Sequence, residues 1–265
     1  MDKKQIFSLI SSEYLLSLYP SVIHFVPLPL EIQMWGRFLI FAILGFIFGS
    51  SHVKNISMFL DWKIILLSII NVIHIFSSYY GFRYMKPADA YAIFYQYPFI
   101  NLILLFLNGE VNLSIFQWMF FSLSVLGIIL LRANKFNVLI MYISAITESL
   151  LYFMIRIINP VSSWDGVYFS YVLPAIIMTL IFYTHWRDLE IPALMNGFVG
   201  SSGYSLRFWN AVNVKPEIFS LFSFIGIPFS YINQYFINNI VPDVLGATGA
   251  FIILTSLIMS VIIHS

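Results

Sequence analysis

Ser12-Glu13-Tyr14-Leu15-Leu16 and Thr147-Glu148-Ser149-Leu150-Leu151 each set one carboxylate inside an otherwise apolar run. The two acids stand 135 positions apart in a chain of 265, close to half its length. Pro98-Phe99 and Pro228-Phe229 repeat in the same sense, 130 positions apart, and a few residues of insertion or deletion reconcile the two offsets. The pattern points to a duplicated chain with one buried acid in each half.

Composition says what solvent surrounds those runs. The chain is 60% hydrophobic and only 9% charged, whereas a soluble domain carries about 25% charged residues. With so little charge it cannot cover a water-facing surface, so lipid is the solvent. The 27 Phe suit lipid-facing and packing positions, and the 16 Tyr suit an interface or polar cavity where the hydroxyl finds a partner. A net charge of +1 offers no field for nucleic acid. The absence of cysteine excludes disulfides, thiolate metal sites and a Cys nucleophile. The start, Met1-Asp2-Lys3-Lys4 before an apolar run, imitates a signal peptide, but Glu13 interrupts the run and no Ala-x-Ala site follows. It reads as a retained first helix.

A bilayer core needs about 20 apolar residues per helix. Breaks at charged or Pro/Gly/Asn-containing turns predict ten segments, 6–26, 31–50, 63–84, 88–107, 113–132, 137–158, 166–184, 190–210, 216–237 and 243–263. The expected fold class is an all-α integral membrane protein, with ten transmembrane helices as two inverted five-helix repeats, 1–134 and 135–265. Five is odd, so duplicated halves must insert in opposite directions. With the N-terminus inside, Lys3, Lys4, Lys54, Lys63, Arg156, Arg207 and Lys215 fall at cytoplasmic ends, against Arg83, Lys86, Arg132, Lys135 and Arg187 on the other side. That balance leans toward both termini being cytoplasmic, in an inner (plasma) membrane.

Several short motifs carry a resemblance. In the first half they are Tyr84-Met85-Lys86-Pro87-Ala88-Asp89-Ala90, Tyr97-Pro98-Phe99 and Asn108-Gly109-Glu110-Val111-Asn112-Leu113, with Arg37 early in the second segment. In the second half they are Pro228 and Val241-Pro242-Asp243-Val244-Leu245-Gly246-Ala247. Together they resemble the EamA-like family of the drug/metabolite transporter superfamily. The pattern departs from that family at Asn238 and Asn239, where a second glutamate is common, and at Trp118, where Gly is frequent. Gly200-Ser201-Ser202-Gly203 with Pro228-Phe229-Ser230-Tyr231 is similar to the S-adenosylmethionine uptake carriers of obligate intracellular bacteria. The resemblance implies a secondary carrier for a small organic metabolite, with amino-acid and drug exporters of the same superfamily as the alternative.

Which residues would carry such a task follows from the cost of polar groups in lipid. A carboxylate near the bilayer centre costs about 2.5–3.5 kcal/mol on insertion scales, so Glu13 and Glu148 should face a cavity or a partner. They read either as a cation or proton site or as packing acids satisfied by neighbours. Ser144 and Tyr152 lie at i−4 and i+4 from Glu148, and Ser17 at i+4 from Glu13. Asn71, His74 and Ser78 form one helical stripe. Tyr91, Tyr95 and Gln96 precede Pro98, which kinks its helix, and Tyr231 and Gln234 follow Pro228. Tyr204 shares a segment with Gly197, Gly200 and Ser201, whose small side chains suit close packing.

The expected substrate-binding set is Glu13, Asn71, His74, Tyr91, Tyr95, Gln96, Glu148, Tyr152, Tyr204, Tyr231 and Gln234. For a sulfonium or other cation the acids would supply charge and the tyrosines π-faces. Arg207 and Trp209 read as interfacial anchors, Arg37 as neutralising a partner near a helix end, Asp89 as a helix cap, and Glu110 as ordering its loop.

No GxSxG, HExxH, P-loop or Rossmann glycine pattern occurs. The chain is therefore not expected to be an enzyme, to hold a cofactor or metal, or to hydrolyse ATP. A lipid-modifying membrane enzyme is the rival from another class, and His185, Arg187, Asp188 and Glu190 are its only interfacial cluster. The expected partners are a small-molecule substrate and the lipid bilayer, with a homodimer as an option and no nucleic acid.

Overall fold

The computed structural model describes residues 3–51, 60–131 and 133–262. Lys54 and Arg132 of the charge balance lie outside them. Among the described residues the regular structure is entirely helical: α1 Lys3–Phe25, α2 Leu30–Phe48, α3 Trp62–Tyr84, α4 Pro87–Phe94, α5 Tyr97–Leu107, α6 Ile115–Leu130, α7 Lys135–Ile158, α8 Ser163–Phe182, α9 Ile191–Asn213, α10 Pro216–Ser223, α11 Gly226–Asn238 and α12 Val244–Ile262. A short 3₁₀ turn, Tyr183–Asp188, follows α8. Among the described residues six helical segments are long and apolar enough to cross a bilayer: Lys3–Phe25, Leu30–Phe48, Trp62–Tyr84, Pro87–Leu107, Lys135–Ile158 and Ser163–Asp188. Large apolar side chains such as Phe7, Ile47, Ile69, Leu126, Leu180 and Phe251 stand on the outer surface, as a chain dissolved in lipid requires. This is a membrane protein of all-α fold.

Local chemistry sets the ends of these helices. Asp61 accepts from the Lys63 amide at the start of α3. Ser114 with Gln117, and Ser162 with Asp165, form capping boxes that start α6 and α8. Asp165 also takes the Ser50 amide at 2.6 Å and its hydroxyl at 2.8 Å, which ties the end of α2 to the start of α8. Helices α7 and α11 end on Asn159 and Asn239, at φ 48° and 55°. The short amide side chain tolerates that left-handed geometry.

Two of the ten predicted segments are broken rather than continuous. Segment 88–107 divides between Phe94 and Tyr97, where Pro98 in the first turn of α5 cannot donate to the preceding turn. Segment 216–237 divides between Ser223 and Gly226, upstream of Pro228. At the second break a methyl group on Gly226 would overlap the Tyr95 hydroxyl, so the glycine leaves room for a side chain rising from the first break.

Helices pair across the chain. The pairs are α1 with α9 and α11, α7 with α3 and α5, α2 with α8, and α6 with α12. A Cβ on Gly127 would lie 2.9 Å from the Gly249 carbonyl oxygen, and one on Gly249 would lie 2.7 Å from the Gly127 carbonyl oxygen, so α6 and α12 touch backbone to backbone. Gln5 at the start of α1 reaches the Asn213 carbonyl at the end of α9. Asn137 at the start of α7 reaches the Tyr84 carbonyl at the end of α3. Arg83, near the end of α3, donates to carbonyls at the end of α1, with the shortest bond 2.6 Å to Val26. These bonds fix the relative directions of α1, α3, α7 and α9.

Candidate functional site

Arg207 is buried at the centre of the bundle, only 1% exposed. The predicted segment 190–210 put it at a helix end, but α9 runs on to Asn213, and that places the guanidinium inside the core. It is therefore not an interfacial anchor, and one charge leaves the cytoplasmic side of the balance.

Both duplicated acids converge on it. Arg207 Nη2 lies 2.6 Å from Glu13 Oε2, and Nε lies 3.1 Å from Glu13 Oε1, a two-pronged pair between α9 and α1. Arg207 Nη1 reaches Glu148 Oε1 on α7 at 3.2 Å. Each acid takes a tyrosine as well. Tyr95 donates to Glu13, and Tyr152 donates to Glu148. Arg207 donates back to Tyr95 at 2.8 Å and to Tyr152 at 3.3 Å, and Tyr91 joins through Tyr95 at 2.9 Å.

His74 and Tyr204 complete the far side of Glu148. Tyr204 donates to both carboxylate oxygens, at 3.1 and 3.0 Å. His74 Nε2 stands 3.2 Å from Glu148 Oε2 and 3.1 Å from the Tyr204 hydroxyl. Its Nδ1 is 3.2 Å from the Ser144 carbonyl oxygen and 3.4 Å from the Ser144 hydroxyl.

A second buried arginine, Arg37 of α2, lies beside this network and is held differently. Its guanidinium sits 4.4 Å from the ring of Tyr19, 4.9 Å from Phe41, 5.1 Å from Tyr204, and 5.6 Å from both Tyr79 and Tyr171. It donates to the Tyr171 hydroxyl at 2.8 Å. No carboxylate among the described residues forms an ion pair with it, so the expectation of an acidic partner or a backbone site near a helix end is replaced by a box of aromatic faces. Tyr19 fits because position 200 is glycine; a methyl group there would overlap the Tyr19 hydroxyl.

Between the two arginines lies a cavity of about 20 Å³, lined by Tyr19, Arg37, His74, Ser78, Tyr91, Phe94, Tyr204 and Arg207, with Leu16 and Phe82. It holds about one water-sized group. The acids stand behind Arg207 rather than on this wall.

Of the expected substrate-binding residues, Glu13, His74, Tyr91, Tyr95, Glu148, Tyr152 and Tyr204 come together here. Four do not. Asn71 donates to the Ser170 carbonyl at 2.8 Å and ties α3 to α8. Gln96 accepts from Ser124 at 2.9 Å, at the break between α4 and α5. Tyr231 donates to Asp89 at 2.8 Å, and Gln234 accepts the Ala88 amide at 2.8 Å, so both brace the start of α4. Asp89 thus receives Tyr231 instead of capping its own helix by side chain. Glu110 does order its loop, through Asn108 at 2.7 Å and Arg156 at 3.1 Å. Near one end of the bundle Lys86 pairs with Asp243, whose hydrogen bond raises the lysine above its ordinary pKa. His185 and Asp188 pair at 3.1 Å on the exposed 3₁₀ turn, far from any enclosed site.

The sequence reasoning missed Arg207, Arg37 and Tyr19. A charged residue flanked by Leu206 and Phe208 was the available sign for Arg207. Nothing local marked Tyr19.

No family model matches this chain, and no curated protein does. The fold is similar to that of a solved structure described only as "Crystal structure of protein", with a TM-score of 0.70 and 15% identity over 100% of this chain and 99% of that one. That likeness concerns the fold.

Proposed function

We propose that this chain is a secondary transporter that moves a small organic metabolite across the inner (plasma) membrane by alternating access, with both termini cytoplasmic. Residues 1–134 and 135–265 are its two five-helix repeats, and ten segments cross the bilayer, two of them broken at mid-depth. The hydrogen bonds between helix ends support opposed repeats. Helices α1 and α3 run the same way, and α7, the counterpart of α1, runs against both. Broken helices beside a central site are a recurrent device of carriers built from inverted repeats.

One observation carries the reading. Glu13, His74, Glu148 and Arg207 come from four helices of both halves and meet, buried, beside a small cavity that His74 and Arg207 line. Ionisable groups inside a membrane protein are expensive and mark ion or substrate pathways. A bundle with only a structural role would be served as well by apolar side chains. Because the walls belong to both halves, rocking one half against the other would open the cavity to either side.

S-adenosylmethionine is the substrate to test first. Protein reconstituted in liposomes should take up the labelled compound saturably, and the Glu13→Gln, Glu148→Gln double variant should lose that uptake while remaining in the bilayer. Absence of flux for S-adenosylmethionine, amino acids and cationic drugs, in either direction and with or without a pH gradient, would overturn the carrier reading.

A further inference from the structure

The wall of the central cavity offers hydrogen-bond donors and positive charge, and no carboxylate. Arg37, Arg207 and His74 line it together with Tyr19, Tyr204 and Tyr91. Arg207 is occupied by Glu13 and Glu148, two negative charges on one positive. Arg37 is a second cation and has only rings and neutral oxygens around it. Two polar atoms on this wall are buried without a partner, Arg37 Nε and the Tyr19 hydroxyl. The parent side chains are 2% and 4% exposed. A buried donor left unmade is costly, and here two such groups belong to side chains that line one cavity.

We propose that Arg37, with Tyr19, is the seat of a carboxylate on the transported molecule, so that the substrate is an acid or a zwitterion rather than a simple cation. The inference rests on the carrier reading and narrows its substrate class. Guanidinium is the side chain suited to planar, two-pronged recognition of a carboxylate. The aromatic box holds the guanidinium without pairing it with an acid. A cationic end of the same molecule would face the rings of Tyr91 and Phe94 on the opposite wall. As it stands the cavity holds only about one water-sized group, so the substrate enters with the opening of the halves. The acids do not recruit the substrate directly; they hold Arg207 in place and set the total charge.

The test is direct binding to the purified full chain in detergent, read as thermal stabilisation. The probes are acetate, chloride and matched pairs: S-adenosylmethionine and its decarboxylated form, L-methionine and its decarboxylated amine, L-tyrosine and tyramine. At least one carboxylated member should stabilise the protein, with its amine partner at least tenfold weaker. Arg37→Gln should abolish the effect, and Arg37→Lys should keep part of it. Tyr19→Phe keeps the ring under Arg37 and should weaken carboxylate binding several-fold at an unchanged melting temperature.

Amines that stabilise as well as their acids would overturn the proposal. So would chloride acting as strongly as acetate, Arg37→Gln retaining full binding, or no carboxylate stabilising at all. Flux in liposomes that ignores Arg37 would sink this inference and leave the carrier reading standing. Arg37-dependent binding without flux would do the reverse.

Discussion

Arg207 and Arg37 line the same cavity and are both buried, yet the fold treats them in opposite ways. Arg207 is saturated, with two carboxylates and two tyrosine hydroxyls around one guanidinium. Arg37 has five rings and one hydroxyl and keeps a free Nε. A charge fully paired inside a protein is structural, because removing either side strands the other. A charge surrounded by polarisable faces is held but not neutralised, and stays available to something that arrives later. The two arginines thus divide one cavity into a fixed part and a receptive part.

Removing Arg207 should have the largest effect. Arg207→Met leaves Glu13 and Glu148 buried without their cation, at a cost of about 3–5 kcal/mol. It should appear as loss of monodisperse protein on size-exclusion chromatography. If that variant folds and melts like the parent, the saturated arginine is not structural. Single Glu13→Gln and Glu148→Gln changes keep one acid on Arg207, so each should cost about 1.5–3 kcal/mol and lower transport at least tenfold. Unchanged uptake in both variants would remove the acids from function.

The next effect falls on the receptive side. Gly200→Ala drives a methyl into Tyr19 and should cost about 1–3 kcal/mol through overpacking, with recovery when Tyr19→Ala is added. Failure of the second change to recover stability would mean that position 200 does not act through Tyr19. Arg37→Gln strands no acid, so its melting temperature should fall less than that of Arg207→Met. A drop as large would erase the distinction between the two arginines. Smallest of all is Lys86→Ala. Its pair with Asp243 is about half exposed, and such pairs contribute about 0.2–1 kcal/mol. A larger loss, measured at low and high salt, would show that this rim contact closes one end of the bundle.

Some of this was legible residue by residue. The apolar runs mark helical segments because each is set by local hydropathy and by breakers at its ends; among the described residues six of them are long and apolar enough to cross a bilayer. Helix α8 began three residues earlier than predicted, at Ser163, because its capping box lies outside the apolar run. Helix α9 ended three residues later than predicted, and that small error moved Arg207 from the membrane surface to the core. Among the tyrosines, Tyr91 and Tyr95 were found from their shared face, whereas Tyr231 was misplaced because proline spacing says nothing about which neighbour a side chain meets.

The sequence by itself determined the solvent, the helical class, the approximate segments and the presence of an intramembrane acid in each half, since all of these follow from composition and short-range pattern. Only the tertiary structure decided the partners. Arg207 lies 194 positions from Glu13 and 59 from Glu148, and no periodicity spans such distances. Helix packing brought the three together and left Arg37 among rings. Pairing depends on where helices cross and which glycines let them approach, and that is a property of the assembled bundle.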